Sequence, residues 1–155
     1  MIIPDINLLL YAHDSASAFH PKAFAWWKDL LSRADVIGLP HSVIFGFVRI
    51  GTNSRAFQNP MTSAEAGSYV RLWLSQPNVQ IVEAGPEHVE CVLKLLDALG
   101  AAGNLVTDAQ IAALAIEHDA ELHTTDADFS RFAGLRWFNP LSGGRSRPDR
   151  LKTSD

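Results

Sequence analysis

Apolar positions along the chain fall into brief extended runs and longer helical stripes that alternate with one another. Met1-Ile2-Ile3-Pro4 reads as a short strand, because Pro4 biases Ile3 toward extended geometry and cannot donate to a ladder. Asn7 to His13 reads as a short helix. Phe19 to Leu31 puts Phe24, Trp27, Leu30 and Leu31 on one face, which predicts an amphipathic helix. Val36 to Leu39 predicts a second, buried strand. From His41 to Ile50 the chain is apolar nearly throughout, so periodicity does not separate a buried helix from a strand there, and Gly51-Thr52-Asn53 closes the segment.

Thr62-Ser63-Ala64-Glu65 is a capping box, opening a helix that runs to Ser75. After the Gln76-Pro77-Asn78 turn, Val79 to Val82 predicts a strand. Pro86 to Leu99 predicts a helix with proline in its first turn and Gly100 just past its end. Thr107 to His118 predicts a strongly apolar helix, Glu121 to Thr124 a strand, and Arg136 to Phe138 a last short one. Strands alternating with helices predict an α/β domain with a mainly parallel sheet. Beyond Pro140 the residues turn to Ser, Gly, Arg and Pro without period. The expected division is a domain over 1–141 and a disordered basic tail over 142–155.

Composition narrows the class. A chain of 155 residues with 47% hydrophobic content can build one core without disulfide or structural metal. The single cysteine, Cys91, lies in an apolar-periodic stretch and reads as a packed helix thiol. Cysteine-poor usage suits a reducing cytoplasm. No basic leader opens the sequence, and no apolar run reaches the ~18 residues that cross a bilayer, so a cytoplasmic protein without membrane contact is expected. The net charge is −4, split into about +2 over 142–155 and −6 over the rest. An acidic body argues against an open duplex-DNA surface and needs cations or a basic partner to approach nucleic acid.

Ligands of open α/β sheets bind outside the carboxyl ends of the strands. Asp5 follows the first strand, Asp126 and Asp128 follow Glu121 to Thr125, and Asp108 stands at the start of a helix that should begin near the same rim. Each acid alone has an ordinary use as a cap or turn residue. Gathered together they could not all stay ionised without a cation, since carboxylates ~4 Å apart repel by ~4 kcal/mol at an effective dielectric of ~20. An all-oxygen set suits Mg²⁺ or Mn²⁺, which can polarise a phosphate and activate a water.

Three segments carry a family resemblance: Pro4-Asp5-Ile6-Asn7, Asn104-Leu105-Val106-Thr107-Asp108-Ala109, and Thr124-Thr125-Asp126-Ala127-Asp128-Phe129. They resemble the acidic motifs of VapC-family PIN domains, and the likeness extends to Trp137-Phe138-Asn139-Pro140-Leu141. The resemblance implies an α/β/α sandwich, a Mg²⁺- or Mn²⁺-dependent endoribonuclease acting on RNA, and neutralisation by a VapB-type antitoxin. It implies Asp5, Asp108 and Asp126 as catalytic metal ligands with Asp128 completing the set, and Asn7 and Thr125 orienting those acids or their waters. The glutamate such sequences carry after the second strand is matched here by Gly46, so the alternative is a PIN-like protein that binds antitoxin or RNA with impaired cleavage.

The remaining polar and aromatic residues add little chemistry. Six histidines show no metal-ligand spacing, and His123 is expected to be packed within its strand. No nucleophile elbow is present, and Asn7 stands where a phosphatase would need a second aspartate. Four tryptophans fit packing better than base stacking, while Arg49, Arg55 and Arg71 are the body cations best placed to meet RNA. The apolar surplus of the first half predicts a homodimer that also binds a small partner.

Overall fold

The computed structural model describes residues 1–142 and 144–145. Strand β1 (Ile2–Pro4) leads into helices α1 (Ile6–His13) and α2 (His20–Ser32). Strand β2 (Ile37–Pro40) follows, then α3 (His41–Gly51), α4 (Ser63–Leu74) and β3 (Val79–Val82). Helices α5 (His88–Leu99) and α6 (Leu105–Glu117) precede β4 (Glu121–His123). A 3-10 turn at Ala127–Arg131, β5 (Arg136–Asn139) and β6 (Gly144–Arg145) complete the described chain.

The sheet order is β3-β2-β1-β4-β5-β6. The first five strands are parallel, with Ile2 level with both Ile37 and Glu121, and β6 joins antiparallel to β5. The connections from β1 step one way to β2 and β3, then return across to β4. Right-handed crossovers therefore put α1 to α4 on one face and α5 and α6 on the other, the α/β/α sandwich. Ile3, Ile37, Leu39 and Leu122 supply the buried sheet positions, and Leu9, Phe47, Trp73 and Ile111 seal the helices onto them.

The undecided segment after β2 is a helix. Its eleven residues exceed any strand of this short sheet, and Pro40 enters it with an extended backbone at φ −65° and ψ 150°. Gly46 and Gly51 lie buried on this helix. A Cβ at Gly46 would press into the Ile6 Cδ1 atom and stand 3.1 Å from its Cγ1, so a side chain on α3 there requires the Ile6 side chain on α1 to shift.

Several boundaries move. The proline-initiated helix starts at His88, since Pro86 and Glu87 form the preceding turn, and it stops at Gly100 in the left-handed conformation (φ 61°). Helix α6 begins at Leu105, two residues ahead of expectation, which makes Asp108 a residue within its first turn. Capping at Thr62 is as expected, with both reciprocal hydrogen bonds to Glu65 formed. Within the stretch expected to be an unstructured tail, Gly144–Arg145 pair with β5. The residues beyond Arg145 lie outside the described ones.

Candidate acidic site at the carboxyl ends of β1 and β4

Strands β1 and β4 are neighbours at the point where the strand order reverses, the place where such sheets open a crevice. Asp5 leaves β1 as the N-cap of α1. Its Oδ1 accepts from the Ile6 amide at 2.7 Å, and its own amide donates to the His123 carbonyl at 2.8 Å. Its Oδ2 accepts from the Thr124 hydroxyl at 2.6 Å. Asp5 is 6% exposed. Burial pushes its carboxyl up to about 6, opposed by the Thr124 and Ile6 hydrogen bonds and reinforced by Asp108 and Asp126.

Asp108 comes from the first turn of α6 and is also raised, by partial burial first and then by Asp126 and Asp128. Asp126 follows β4; its amide donates to the Thr124 hydroxyl oxygen at 3.0 Å, and its Oδ1 accepts from the Asp128 amide at 2.8 Å. Asp108 and Asp126 therefore act on Asp5, and Asp126 and Asp128 on Asp108, with Asp5 deepest and Asp128 outermost.

Other expected residues divide. Asn7 lies in the first turn of α1, its Oδ1 buried without a partner. Thr125 makes no side-chain hydrogen bond among the described residues, and the hydroxyl that joins the Asp5 carboxylate to the Asp126 amide belongs to Thr124. Two adjacent threonines in one loop are indistinguishable from sequence, and only the β1–β4 pairing picks one. Gly46 packs on Ile6, the neighbour of Asp5, and contributes no side chain to the acids. His123 is packed, as expected. Its Nδ1 accepts from Trp26 Nε1 at 3.1 Å, which leaves Nε2 to donate to Glu121 Oε1 at 3.2 Å.

The donor set fits a hard divalent cation in kind: carboxylate oxygens, mutually repelling, one of them buried. Among the described residues no three His, Cys, Asp or Glu side chains are gathered into a ready metal-holding group, so the acids would have to draw together on a cation.

A sequence profile of the PIN domain matches residues 2–135. Over 141 residues the chain is 52% identical to ribonuclease VapC33 of Mycobacterium tuberculosis, covering 91% of this chain and 99% of that one. Ribonuclease VapC37 of the same organism is 37% identical over 140 residues, covering 90% and 97%. Among solved structures, the sarcin-ricin loop cleaving toxin VapC20 of M. tuberculosis superposes with a TM-score of 0.65 at 18% identity, covering 87% of this chain and 98% of that one. The VapBC2 complex of Rickettsia felis, bound to promoter DNA, gives a TM-score of 0.63 at 20% identity, covering 88% and 97%. The chain belongs to the VapC family of PIN domains.

Proposed function

We propose that the protein is a metal-dependent endoribonuclease, the toxin of a VapBC pair, acting on RNA in the cytoplasm and held in check by a VapB-type antitoxin. The observation that carries this reading is the buried Asp5 carboxyl at the β1–β4 crevice, raised by burial and by the charges of Asp108 and Asp126. Asp5, Asp108 and Asp126 would hold Mg²⁺ or Mn²⁺, with Asp128 completing the set and Asn7 and Thr125 orienting the waters of the bound cation. A bound cation of this kind polarises a phosphate and supplies a nucleophilic water at neutral pH. The chain's own part is to fix Asp5 and Asp126 just past the ends of two adjacent strands and Asp108 in the first turn of α6, and to keep Asp5 out of bulk solvent. It also confines the like charges to one rim, where an anionic backbone can approach only once they are neutralised.

The test is incubation of purified protein with total RNA, with and without Mn²⁺, and mapping of new ends. Metal-dependent cleavage that Asp108→Asn abolishes supports the reading; identical ends from that variant would sink it. A second reading, binding of antitoxin or RNA with impaired cleavage, keeps one observation: position 46 offers no carboxylate. Specific RNA retention without new ends would favour it.

Two partner surfaces belong to the same proposal. A groove of about 680 Å³ between α1, α2 and α4, walled by Phe24, Trp27, Leu31, Leu72 and Trp73, suits an apolar segment of the antitoxin. Phe45 on α3 and Val89 and Leu93 on α5 are 65%, 70% and 50% exposed, an apolar surplus consistent with a homodimer.

A further inference from the structure

We propose that His13 reads the antitoxin segment seated in the groove between α1, α2 and α4: its Nε2 accepts a hydrogen bond from that segment, and protonation of the ring loosens the grip. The inference rests on that groove being where the antitoxin docks. His13 is the last residue of α1. Its Nδ1 lies 2.8 Å from the Leu9 carbonyl oxygen, which can only accept, so the neutral ring keeps its proton on Nδ1. Nε2, on the opposite edge of the ring, then offers a lone pair, and it has no hydrogen bond among the described residues. Phe47, Tyr69 and Trp73 hold the ring in place, with centroids 5.6, 4.4 and 5.2 Å away. His13 lines the groove and also a smaller cavity of about 280 Å³ beside Met61. A half-buried imidazole with one free nitrogen therefore stands between two open spaces.

The charges around the ring fix the sign of the pH effect. Burial holds the imidazole below the ordinary histidine range, against the Leu9 hydrogen bond, and His20 adds to the lowering. From α2 the groove brings His20 and Lys28 to it, from α4 Tyr69, and from α3 only the Phe47 ring. Asp14, next in the chain, lies in the wall of the smaller cavity and accepts from the Ala16 amide at 3.1 Å. Among the described residues no carboxylate lines the groove, although the chain carries a net charge of −4. A segment that covers the groove takes more water from His13 and brings a donor to Nε2, and both favour the neutral ring. Binding and protonation then oppose each other, so affinity falls by up to about tenfold per pH unit below the free ring's titration. The segment that fits has apolar side chains for Phe24, Trp27 and Leu72 and, among them, one hydrogen-bond donor for His13.

Binding of the full-length cognate antitoxin is measured by titration calorimetry between pH 7.5 and 5 for the full chain, His13→Gln and His13→Phe, beside thermal unfolding of each. The parent is expected to bind about threefold or more weakly at pH 5 than at pH 7.5. His13→Gln, which does not titrate, should show that fall reduced or lost. His13→Phe keeps the ring and its aromatic neighbours but offers no acceptor. It should bind about tenfold more weakly at pH 7.5, the scale of one interface donor left unpaired, with the slope also lost. A parent whose affinity is level or rises toward pH 5 overturns the proposal, and so does a folded His13→Gln or His13→Phe that keeps the parent's slope. Should His13→Phe fail to fold, the slope of His13→Gln decides. A folded Leu72→Glu that binds the antitoxin as tightly as the parent overturns the groove reading and this inference together. A Leu72→Glu that binds weakly, beside a parent with no slope, overturns the inference alone.

Discussion

Asp5 has two hydrogen bonds on its carboxylate and almost no water, and its ionisation in the folded protein is correspondingly costly. Its carboxyl is raised from 3.8 to about 6, so between those values the folded chain holds a proton that the unfolded chain has released. Stability of the metal-free protein therefore falls as pH rises from about 4 to 6, by on the order of 3 kcal/mol, and then levels. Asp108 adds in the same direction. Asp5→Asn removes the ionisation, and asparagine still caps a helix. Thermal unfolding without metal is expected to show Asp5→Asn melting several degrees above the parent at pH 7.5, with the slope between pH 4 and 6 reduced. A variant that melts below the parent at that pH would contradict the account.

Gly46 gives a second test of the same kind. A side chain there must displace Ile6, which is buried and adjacent to Asp5. Overpacking of this sort costs about 1–3 kcal/mol, more than the ~1 kcal/mol that alanine gains over glycine in a helix. Gly46→Glu, the change that would supply the family's carboxylate, is expected to melt several degrees lower and to recover in part when combined with Ile6→Val. Equal melting of Gly46→Glu and parent would show that the approach of α3 to α1 tolerates a side chain.

Among the elements, α4 has the most complete local design: Thr62 and Glu65 satisfy each other's backbone amides, and the helix then lays Ala66 and Trp73 into the core. Loss of that cap in Thr62→Ala is expected to cost about 1 kcal/mol in denaturant unfolding, and an unchanged midpoint would show the end of α4 held by packing alone. Such elements were readable because their signals are local. The capping box, the Gln76-Pro77-Asn78 turn before β3 and Gly100 after α5 each lie within a few residues of what they control. Helix α3 was not readable, since Phe45 stands on its exposed side and Val48 beside it, blurring the polar stripe that marks a helix opposite the buried Val43, Ile44, Gly46 and Phe47. The acids were found by the rule that sites open at strand ends, which needs only strand positions. Thr124 escaped because its role depends on β4 lying beside β1, and Gly46 because its reason is the distance between two helices.

The assembled chain makes its own predictions. On the proposed metal site, Mn²⁺ at a hundred times its dissociation constant should add about 2.7 kcal/mol of stability, several degrees of melting temperature. Asp108→Asn should lose most of that gain. A parent whose melting temperature ignores metal would count against the site. The groove between α1, α2 and α4 leaves Phe24 and Leu72 more than half exposed, so Leu72→Glu should leave folding intact. The same change should weaken capture of the cognate antitoxin by tenfold or more, the scale of a central apolar contact at an interface. Undiminished capture would place the antitoxin elsewhere. Light scattering at tens of micromolar tests the dimer, and a strictly monomeric mass would refute it.

The pairing of β1 with β4 also has a consequence in time. Residues 2–4 leave the ribosome long before their partners at 121–123. Until β4 emerges, β1 keeps one edge open, and Asp5 lacks both the His123 carbonyl and the Thr124 hydroxyl. Helices and the β1–β2–β3 half of the sheet can fold during synthesis, but the acid cluster cannot close on a growing chain. The acidic site of the proposed nuclease is thereby absent while the chain is being made, and it forms only when the domain is nearly complete.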